Sequence, residues 1–480
     1  MSTSIRNQTI SSVKWAAIER FSYEGINFLV GIILARLLSP EDYGTVGMLA
    51  IFLSVSRTFI DSGFTSALIR KIDRTESDFS TAFIINLLIS LVVVLILLFG
   101  APYVATFYKS PILCPILRVQ SITLIVYALM SIQITKLTTD LNFKAIAKAS
   151  LIASIISGVF GIILAYLNFG VWSLVAQNIV SVIINLLCIC YYCRWFPKTG
   201  FSKSSFHDLF SFGKNILGAS LLTTIYFNID SLVIGKFFSS SSLGNYTRGI
   251  QIAKLPVDNI NGVLGKVTYP IFAQIQNDSS RLILTYRKYI RLTSMCIMFC
   301  CVLLATIGRP LILFLLSDKW SSAVIYLQIY SFAIIVDHLC TINLSLIKIK
   351  GRSDLILRLE VIKRIISFGI LVMAIPFGVI GICISKVIYS QIAVIINTYY
   401  NGKLFGLGYV TQFKDYISYF LIAIFACIPA FITTFFPLPN VAQIILGASI
   451  AFFIYCWTLR KDDCMRELYA TIKEKSPRLF

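Results

Sequence analysis

Oppositely charged residues recur four positions apart inside long apolar stretches of this chain. The pairs are Arg20 with Glu24, Arg57 with Asp61, Lys254 with Asp258, and Glu360 with Arg364 beside Lys363. Residues at i and i+4 share one face of a helix. A charge in hydrocarbon costs about 2.5 to 3.5 kcal/mol or more unless it meets a partner or water. These pairs either neutralise one another or line a polar cavity, and the spacing alone leaves both interpretations open.

Five further basic residues in apolar stretches have no acidic residue three or four positions away: Arg118, Lys214, Arg248, Lys266 and Lys386. An excess of cations along a cleft attracts phosphate groups or acidic sugars. We therefore predict a cationic cavity that meets an anionic headgroup, with seven candidates: Arg20, Arg57, Arg118, Lys214, Arg248, Lys254 and Arg364. A long basic side chain can instead reach the membrane interface, and this alternative stays open above all for Lys266, Lys214 and Lys386.

Acidic residues in the same stretches could bind a proton or Na⁺ that drives a transport cycle, or could serve as charge partners. The candidates are Glu24, Asp61, Asp230, Asp258, Asp337 and Glu360. We expect no metal site, no other cofactor and no catalytic residue. The twelve cysteines lie mostly within apolar stretches, where they are typical packing residues.

The elements that must hold these charges are membrane helices. The chain is 57% hydrophobic and 13% charged, with a mean hydropathy of +0.82, which indicates lipid as the solvent for most of it. Only helices and closed barrels satisfy every backbone group in hydrocarbon. Long apolar stretches therefore predict an all-α polytopic membrane protein.

A membrane span needs about 20 mainly apolar residues, and fourteen candidate spans follow from that length. They lie near residues 15–37, 44–69, 79–100, 115–135, 146–168, 171–194, 209–234, 243–271, 290–316, 322–347, 355–376, 378–400, 415–436 and 438–459.

Lysine and arginine are distributed unevenly between alternate loops. One set of loops and both termini hold most of them, whereas the opposite set offers only Lys109, Lys236, Arg309 and Lys319. Basic loops stay in the cytoplasm, so both termini are predicted to be cytoplasmic in a bacterial inner membrane. The net charge of +20 lies in short clusters between apolar stretches, which favours anionic membrane lipids as partners and argues against nucleic acid.

An internal repeat relates two parts of the chain at an offset of 200. Residues 33–44 read I-L-A-R-L-L-S-P-E-D-Y-G, and residues 233–244 read V-I-G-K-F-F-S-S-S-S-L-G. The repeat predicts two parallel six-helix lobes, residues 1–200 and 201–403, two additional helices in 404–460, and a basic cytoplasmic tail in 461–480. Parallel repeats are typical of transporters that work by alternating access around a central cleft.

Several motifs resemble those of polysaccharide flippases in the multidrug, oligosaccharidyl-lipid and polysaccharide exporter superfamily, in particular the O-antigen and colanic-acid exporter branch. They are F-L-V-G-I-I-L-A-R-L-L-S-P-E-D-Y-G (28–44), D-S-G-F (61–64), A-L-I-R (67–70), L-N-F-K (141–144), F-G-V-W-S-L-V (169–175) and Y-P-I-F-A (269–273). Arg36, Arg57 and Asp61 lie on these motifs.

This resemblance implies a fourteen-helix, two-lobed antiporter-like fold. It implies a flippase that carries undecaprenyl-pyrophosphate-linked oligosaccharide repeat units from the cytoplasmic to the periplasmic leaflet. The product would serve O-antigen, capsule or exopolysaccharide synthesis, alongside a polysaccharide polymerase and chain-length machinery.

Three alternatives use similar helices. A multidrug exporter would favour an acidic, aromatic cleft, whereas the buried charge here is mainly basic. A flippase for the peptidoglycan precursor shares the pyrophosphate carrier and stays open. A membrane glycosyl polymerase or ligase usually needs a large external loop, and the longest external connection here joins Gly100 to Pro115.

Overall fold

The structure is a computed structural model that describes residues 22–466, and this part of the chain contains helices and turns but no strand. Two compact units divide the chain between Gly244 and Asn245. The chain is therefore all-α, as predicted. The predicted lobe limits at residues 200 and 403 come from the repeat, and they stay a prediction.

The first unit consists of long antiparallel helices. The described part of α1 covers residues 22–37. The following helices are α2 (Pro40–Asp61), α3 (Phe64–Arg70), α4 (Glu76–Tyr108), α5 (Leu113–Thr139), α6 (Phe143–Tyr166), α7 (Val171–Cys193) and α8 (Lys203–Phe237), and α9 (Ser240–Gln274) begins at the end of this unit.

The second unit contains the rest of α9 and eight more helices. They are α10 (Ser279–Thr306), α11 (Gly308–Leu316), α12 (Ala323–Ile334), α13 (Asp337–Ile349), α14 (Ser353–Ala374), α15 (Gly378–Phe405), α16 (Tyr409–Thr433) and α17 (Asn440–Leu459). Short 3₁₀ turns at Asp318–Trp320 and Ile375–Phe377 precede α12 and α15.

Eleven helical segments in the described residues are long and apolar enough to cross a membrane. One of them, Asp354–Phe405, has 52 residues and contains both α14 and α15. The first predicted span begins outside the described residues, and α9 is not among the eleven segments. The protein is thus a multi-pass membrane protein, whereas the total of fourteen spans stays a prediction.

The repeat appears in the local structure at the starts of α2 and α9. The Ser39 hydroxyl accepts a hydrogen bond from the backbone N–H of Asp42 at 3.2 Å, and the Asp42 carboxylate accepts one from the Ser39 N–H at 2.9 Å. At the same offset of 200, Ser239 Oγ accepts from the backbone N–H of Ser242 at 3.1 Å. Side-chain caps of this kind satisfy the free N–H groups of a first helical turn.

The capped turns of α2 and α9 cross at two glycines. A Cβ on Gly44 would lie 1.7 Å from the Ser240 carbonyl oxygen, and a Cβ on Gly244 would lie 1.8 Å from the Pro40 carbonyl oxygen. Contacts below 3.0 Å require the backbone to move. Glycine is therefore the residue that permits this crossing at both positions.

Glycines also bring α2 close to α8. A Cβ on Gly63 would lie 2.4 Å from the carbonyl oxygen of Gly213, and a Cβ on Gly235 would lie 2.9 Å from the Met48 side chain. The end of α2 thus meets the start of α8, and the start of α2 meets its end. The two helices run antiparallel in close contact, which places the polar side chains of α2 beside α8.

Candidate functional site

Arg57 lies inside the first unit, where α2 presents it to α5. Its guanidinium carbon is 5.8 Å from the ring centroid of Tyr127. Its Nε is buried and has no hydrogen-bond partner among the described residues. A guanidinium over an aromatic face is attracted by the ring, but its N–H groups remain able to donate. Arg57 is therefore held in place and still has a free donor.

Asp61 does not neutralise Arg57, since no ion pair joins the two in the described residues. The α-helix ends at Asp61, and Ser62 has a left-handed φ of 46°. The Asp61 carboxylate instead accepts a hydrogen bond from Thr65 Oγ1, which accepts one from Thr135 Oγ1 at 3.3 Å. The i,i+4 spacing placed both charges on one face, but the turn into α3 gives the carboxylate a different partner.

One face of α8 is polar although the helix is barely covered by protein. In the most apolar 18 residues of α8, only 6% of the residues are buried inside the protein, compared with 22% to 61% in the other candidate spans. Ser220, Thr223, Thr224 and Asn215 repeat at helical spacing and line a cavity of about 520 Å³. Polar side chains that lipid would not solvate face water or protein. We therefore assign this face to a water-filled cavity.

The polar face of α8 adjoins Arg57. Thr224 Oγ1 lies 3.0 Å from Thr58 Oγ1, and the two hydroxyls share a hydrogen bond. Thr58 follows Arg57 directly in α2. One surface of the first unit thus combines a guanidinium with a row of hydroxyls and an amide.

A second cavity of about 350 Å³ opens at the end of α3. Phe212 lines both cavities, so the two are adjacent along α8. Arg70 lies over the Phe212 ring at 4.3 Å, and Lys71 pairs with Asp78 at 3.0 Å. The hydrogen bond to Asp78 raises the pKa of Lys71. Asp73 and Asp208 line the same cavity, so this end of the groove combines basic and acidic side chains in one of the predicted cytoplasmic loops.

The second unit repeats the arrangement of a basic residue over a tyrosine. Lys254 of α9 has its Nζ 5.4 Å from the ring centroid of Tyr330 in α12. Arg57 and Lys254 lie in spans that the repeat makes equivalent, and Tyr127 and Tyr330 lie in the equivalent fourth and tenth spans. A Cβ on Gly249 would lie 2.7 Å from the Ala323 carbonyl oxygen, so this glycine lets α9 approach α12.

A mixed cluster of charges surrounds Lys254. Asp337, the first residue of α13, is exposed and interacts electrostatically with Lys254, Asp258 and Lys363. Because Asp337 lies between apolar helices, its exposure indicates a wet cavity on this side of the second unit.

Glu360 joins α14 to this cluster through two ion pairs. Its carboxylate pairs with Lys363 and, at 3.2 Å, with Arg364. The Lys363 side chain is 8% exposed, and that of Arg364 is 32% exposed. The predicted i,i+4 pair is therefore formed, and one carboxylate serves two cations.

The remaining candidates differ in their exposure and in their contacts. Arg118 is exposed, donates to the Leu98 carbonyl oxygen at 3.3 Å, and precedes Tyr127 by about 14 Å along α5. Arg248 donates to Gln251 Oε1 at 2.6 Å. Lys214 and Glu24 are exposed and Asp230 is half-buried, whereas Arg20 lies outside the described residues.

The two tyrosines were not among the residues predicted from the sequence, because tyrosine makes up 23 of the 480 residues and most serve packing or interfaces. A signal was nevertheless present. Tyr127 and Tyr330 occupy equivalent spans of the repeat, at an offset of 203, alongside the basic pair at an offset of 197.

Comparison with known proteins identifies a family to which the sequence is similar. The family described as polysaccharide biosynthesis protein matches residues 33–325. The chain belongs to this family. The match begins near the end of α1, covers α2 to α11, and ends in the first turn of α12, before Tyr330.

Relatives of this polysaccharide biosynthesis protein come from several bacteria. The chain is 26% identical over 360 residues to the teichuronic acid biosynthesis protein TuaB of Bacillus subtilis, covering 73% of each chain. It is 20% identical over 449 residues to the lipopolysaccharide biosynthesis protein WzxC of Escherichia coli, covering 90% of this chain and 88% of the relative. The predicted resemblance to polysaccharide flippases is confirmed.

Solved structures support the same fold. The lipid II flippase MurJ in an inward closed conformation matches with a TM-score of 0.75 and 15% identity, over 93% of this chain and 99% of MurJ. An inward-facing multidrug resistance transporter of the MATE family matches with a TM-score of 0.62 and 15% identity, over 79% of this chain and 94% of the transporter. This polysaccharide biosynthesis protein thus has the helical fold of these two membrane proteins.

Proposed function

We propose that this protein translocates undecaprenyl-pyrophosphate-linked oligosaccharide repeat units from the cytoplasmic to the periplasmic leaflet by alternating access. Arg57 carries the proposal, because it lies over Tyr127 with a buried, unpartnered Nε beside a row of hydroxyls. A guanidinium suits the oxygens of a pyrophosphate. Lys254 supplies the corresponding cation in the second unit.

The polar face of α8 suits the saccharide part of the substrate. Hydroxyl and amide side chains both donate and accept hydrogen bonds, which matches the many hydroxyls of a sugar. The residues of the face carry no charge, and the face leads from the Arg70 and Lys71 end of the groove to Thr224 beside α2. In this proposal the headgroup enters at the Arg70 end of the groove and the pyrophosphate then meets Arg57.

Transport in one direction requires an energy source, and we propose H⁺ or Na⁺ coupling at the acidic residues. Asp337 is the best placed of the candidates, because it is exposed within a cluster that includes Lys254 and Lys363. A change in its charge would alter the attraction of Lys254 for an anionic substrate.

The distribution of basic loops supports a bacterial inner membrane with both termini in the cytoplasm. In that orientation the cavity at Arg70 and Lys71 faces the leaflet where lipid-linked repeat units are made. The flipped product would then pass to a polysaccharide polymerase and chain-length machinery on the periplasmic side.

A complementation experiment tests this function. The protein is expressed in bacteria that lack their own repeat-unit flippase, and surface polysaccharide and lipid-linked intermediate are measured together. Restored polymer with loss of the intermediate supports the proposal.

The same experiment separates the alternatives. Recipient strains with different repeat units test sugar specificity. Unrelieved intermediate in every strain, with confirmed membrane insertion, contradicts the proposal. Rescue of a strain depleted of its peptidoglycan-precursor flippase, or resistance to cationic drugs, would then identify the cargo.

A further inference from the structure

Two arginines of α10 converge on one aspartate of α16 in the second unit. Arg287 donates to Asp415 from Nε at 2.8 Å and from Nη2 at 2.7 Å. Arg291 donates to the same carboxylate from Nε at 2.9 Å and from Nη2 at 2.7 Å. The arginines are one helical turn apart, so both guanidinium groups are fixed on one side of α10.

This cluster keeps an uncompensated positive charge. One carboxylate can neutralise only one of the two guanidinium groups. The Asp415 side chain is 1% exposed, whereas those of Arg287 and Arg291 are 37% and 41% exposed. The aspartate is therefore buried beneath the two arginines. The hydrogen bonds to Asp415 use Nε and Nη2 of each arginine, which leaves the Nη1 groups able to donate to a ligand.

The position of the cluster along its helices places it at the level of the lipid headgroups. No charged residue occurs in α10 after Arg291 or in α16 after Asp415. The 18 residues of α16 that follow Asp415 span about 27 Å, close to the hydrocarbon core of about 30 Å. The charged cluster therefore marks the boundary at which both helices enter the apolar layer.

Aromatic side chains on α16 support the same depth. Phe413 lies 5.8 Å from Tyr409 and 5.4 Å from Tyr416 between ring centroids. Tyrosine concentrates at membrane interfaces, where its ring is apolar and its hydroxyl is wet.

We propose that Arg287 and Arg291, whose guanidinium groups are fixed by hydrogen bonds to Asp415, bind a phosphate group at the level of the lipid headgroups. Two fixed guanidinium groups offer parallel N–H donors that suit phosphate oxygens. The phosphate belongs either to an anionic phospholipid or to free phosphate. The site is separate from the proposed transport groove, and it does not depend on the identity of the transported substrate.

Lipid binding to the purified full-length protein tests this site. Native mass spectrometry measures the apparent affinity for phosphatidylglycerol, phosphatidylcholine and inorganic phosphate. The key variant is Arg291→Gln, which removes one cation but leaves the bidentate Arg287–Asp415 pair. A matched control is Arg281→Gln, an exposed arginine earlier in the same helix with the same change in charge.

A lipid site predicts that the wild-type protein prefers phosphatidylglycerol to phosphatidylcholine. We expect Arg291→Gln to weaken phosphatidylglycerol binding about fivefold, the effect of about 1 kcal/mol per basic residue near an anionic surface, and Arg281→Gln to change it less. Binding of inorganic phosphate without lipid preference, lost in Arg291→Gln, assigns the site to free phosphate. Equal binding by Arg291→Gln and wild-type protein, with equal unfolding temperatures in phosphatidylcholine, overturns the proposal.

Discussion

Arg57 lies over the ring of Tyr127 at 5.8 Å and does not pair with Asp61, its neighbour one helical turn away. The tyrosine fixes the guanidinium without neutralising it. Lys254 and Tyr330 reproduce this relationship at 5.4 Å in the second unit. The protein thus holds a basic residue on an aromatic ring in each half, which keeps both cations available to an anion.

Replacing either basic residue should stop transport. We expect Arg57→Ala and Lys254→Ala to abolish restoration of surface polysaccharide while membrane abundance stays normal, because the pyrophosphate loses its cation. Lys198→Ala, which removes an exposed charge from a loop, is the control and should transport normally. Full transport in both cavity variants would remove these residues from the site.

The tyrosine ring should matter more than its hydroxyl. Tyr127→Phe retains an aromatic face for Arg57 and should keep most transport. Tyr127→Leu should reduce transport by about two- to thirtyfold, since a cation–π contact contributes about 0.5 to 2 kcal/mol. Transport rates are compared at equal protein abundance. Identical rates in the two variants would show that the ring does not position Arg57.

The polar face of α8 should be accessible to water. In intact cells or membrane vesicles, we expect Thr223→Cys to react with a membrane-impermeant thiol reagent, because Thr223 lines the groove. Ile225→Cys should remain unmodified, because Ile225 is exposed and lies about 200° around the helix from Thr223. Peptide mass spectrometry measures modification at each position separately from the native cysteines. Equal protection of both cysteines would contradict a wet groove.

The glycine crossing should not tolerate a methyl group. Gly44→Ala and Gly244→Ala each place a Cβ within 2 Å of a backbone oxygen, and we expect a loss of about 1 to 3 kcal/mol or more in stability. Gly100→Ala is the control, because its Cβ would meet no atom within 4 Å. Thermal unfolding of the purified variants measures the difference, and unchanged midpoints at residues 44 and 244 would contradict the packing.

Asp415 should contribute to stability apart from any ligand. Asp415→Asn leaves Arg287 and Arg291 without a carboxylate. We expect the free energy of unfolding to fall by about 1 to 3 kcal/mol. The loss is smaller than for a fully buried ion pair, because both arginines remain partly hydrated. Unfolding in neutral detergent without lipid measures this contribution. A variant as stable as the wild-type protein would show that water replaces the carboxylate.

The sequence predicted the helical fold and the family, because both follow from local patterns. Hydropathy needs only a window of residues, and the repeat is visible in the letters around Gly44 and Gly244. The resemblance rests on short motifs such as D-S-G-F at 61–64.

The partners of the charges depend on contacts distant in sequence, and these could not be predicted. The spacing of the charged residues does not predict that the helix ends at Asp61 or that Thr65 then donates a hydrogen bond to the Asp61 carboxylate. It also could not bring Arg287 to Asp415, which is 128 residues away. The exposure of α8 likewise depends on which neighbours cover it, and its sequence alone resembles that of other apolar helices.

The reciprocal crossing of Gly44 on Ser240 and Gly244 on Pro40 has a consequence for compensating substitutions. Each glycine faces a backbone carbonyl of the other helix and not the end of a flexible side chain. A smaller side chain in the facing helix therefore makes no room for a methyl group at either glycine, because the obstructing atoms belong to the main chain of every residue.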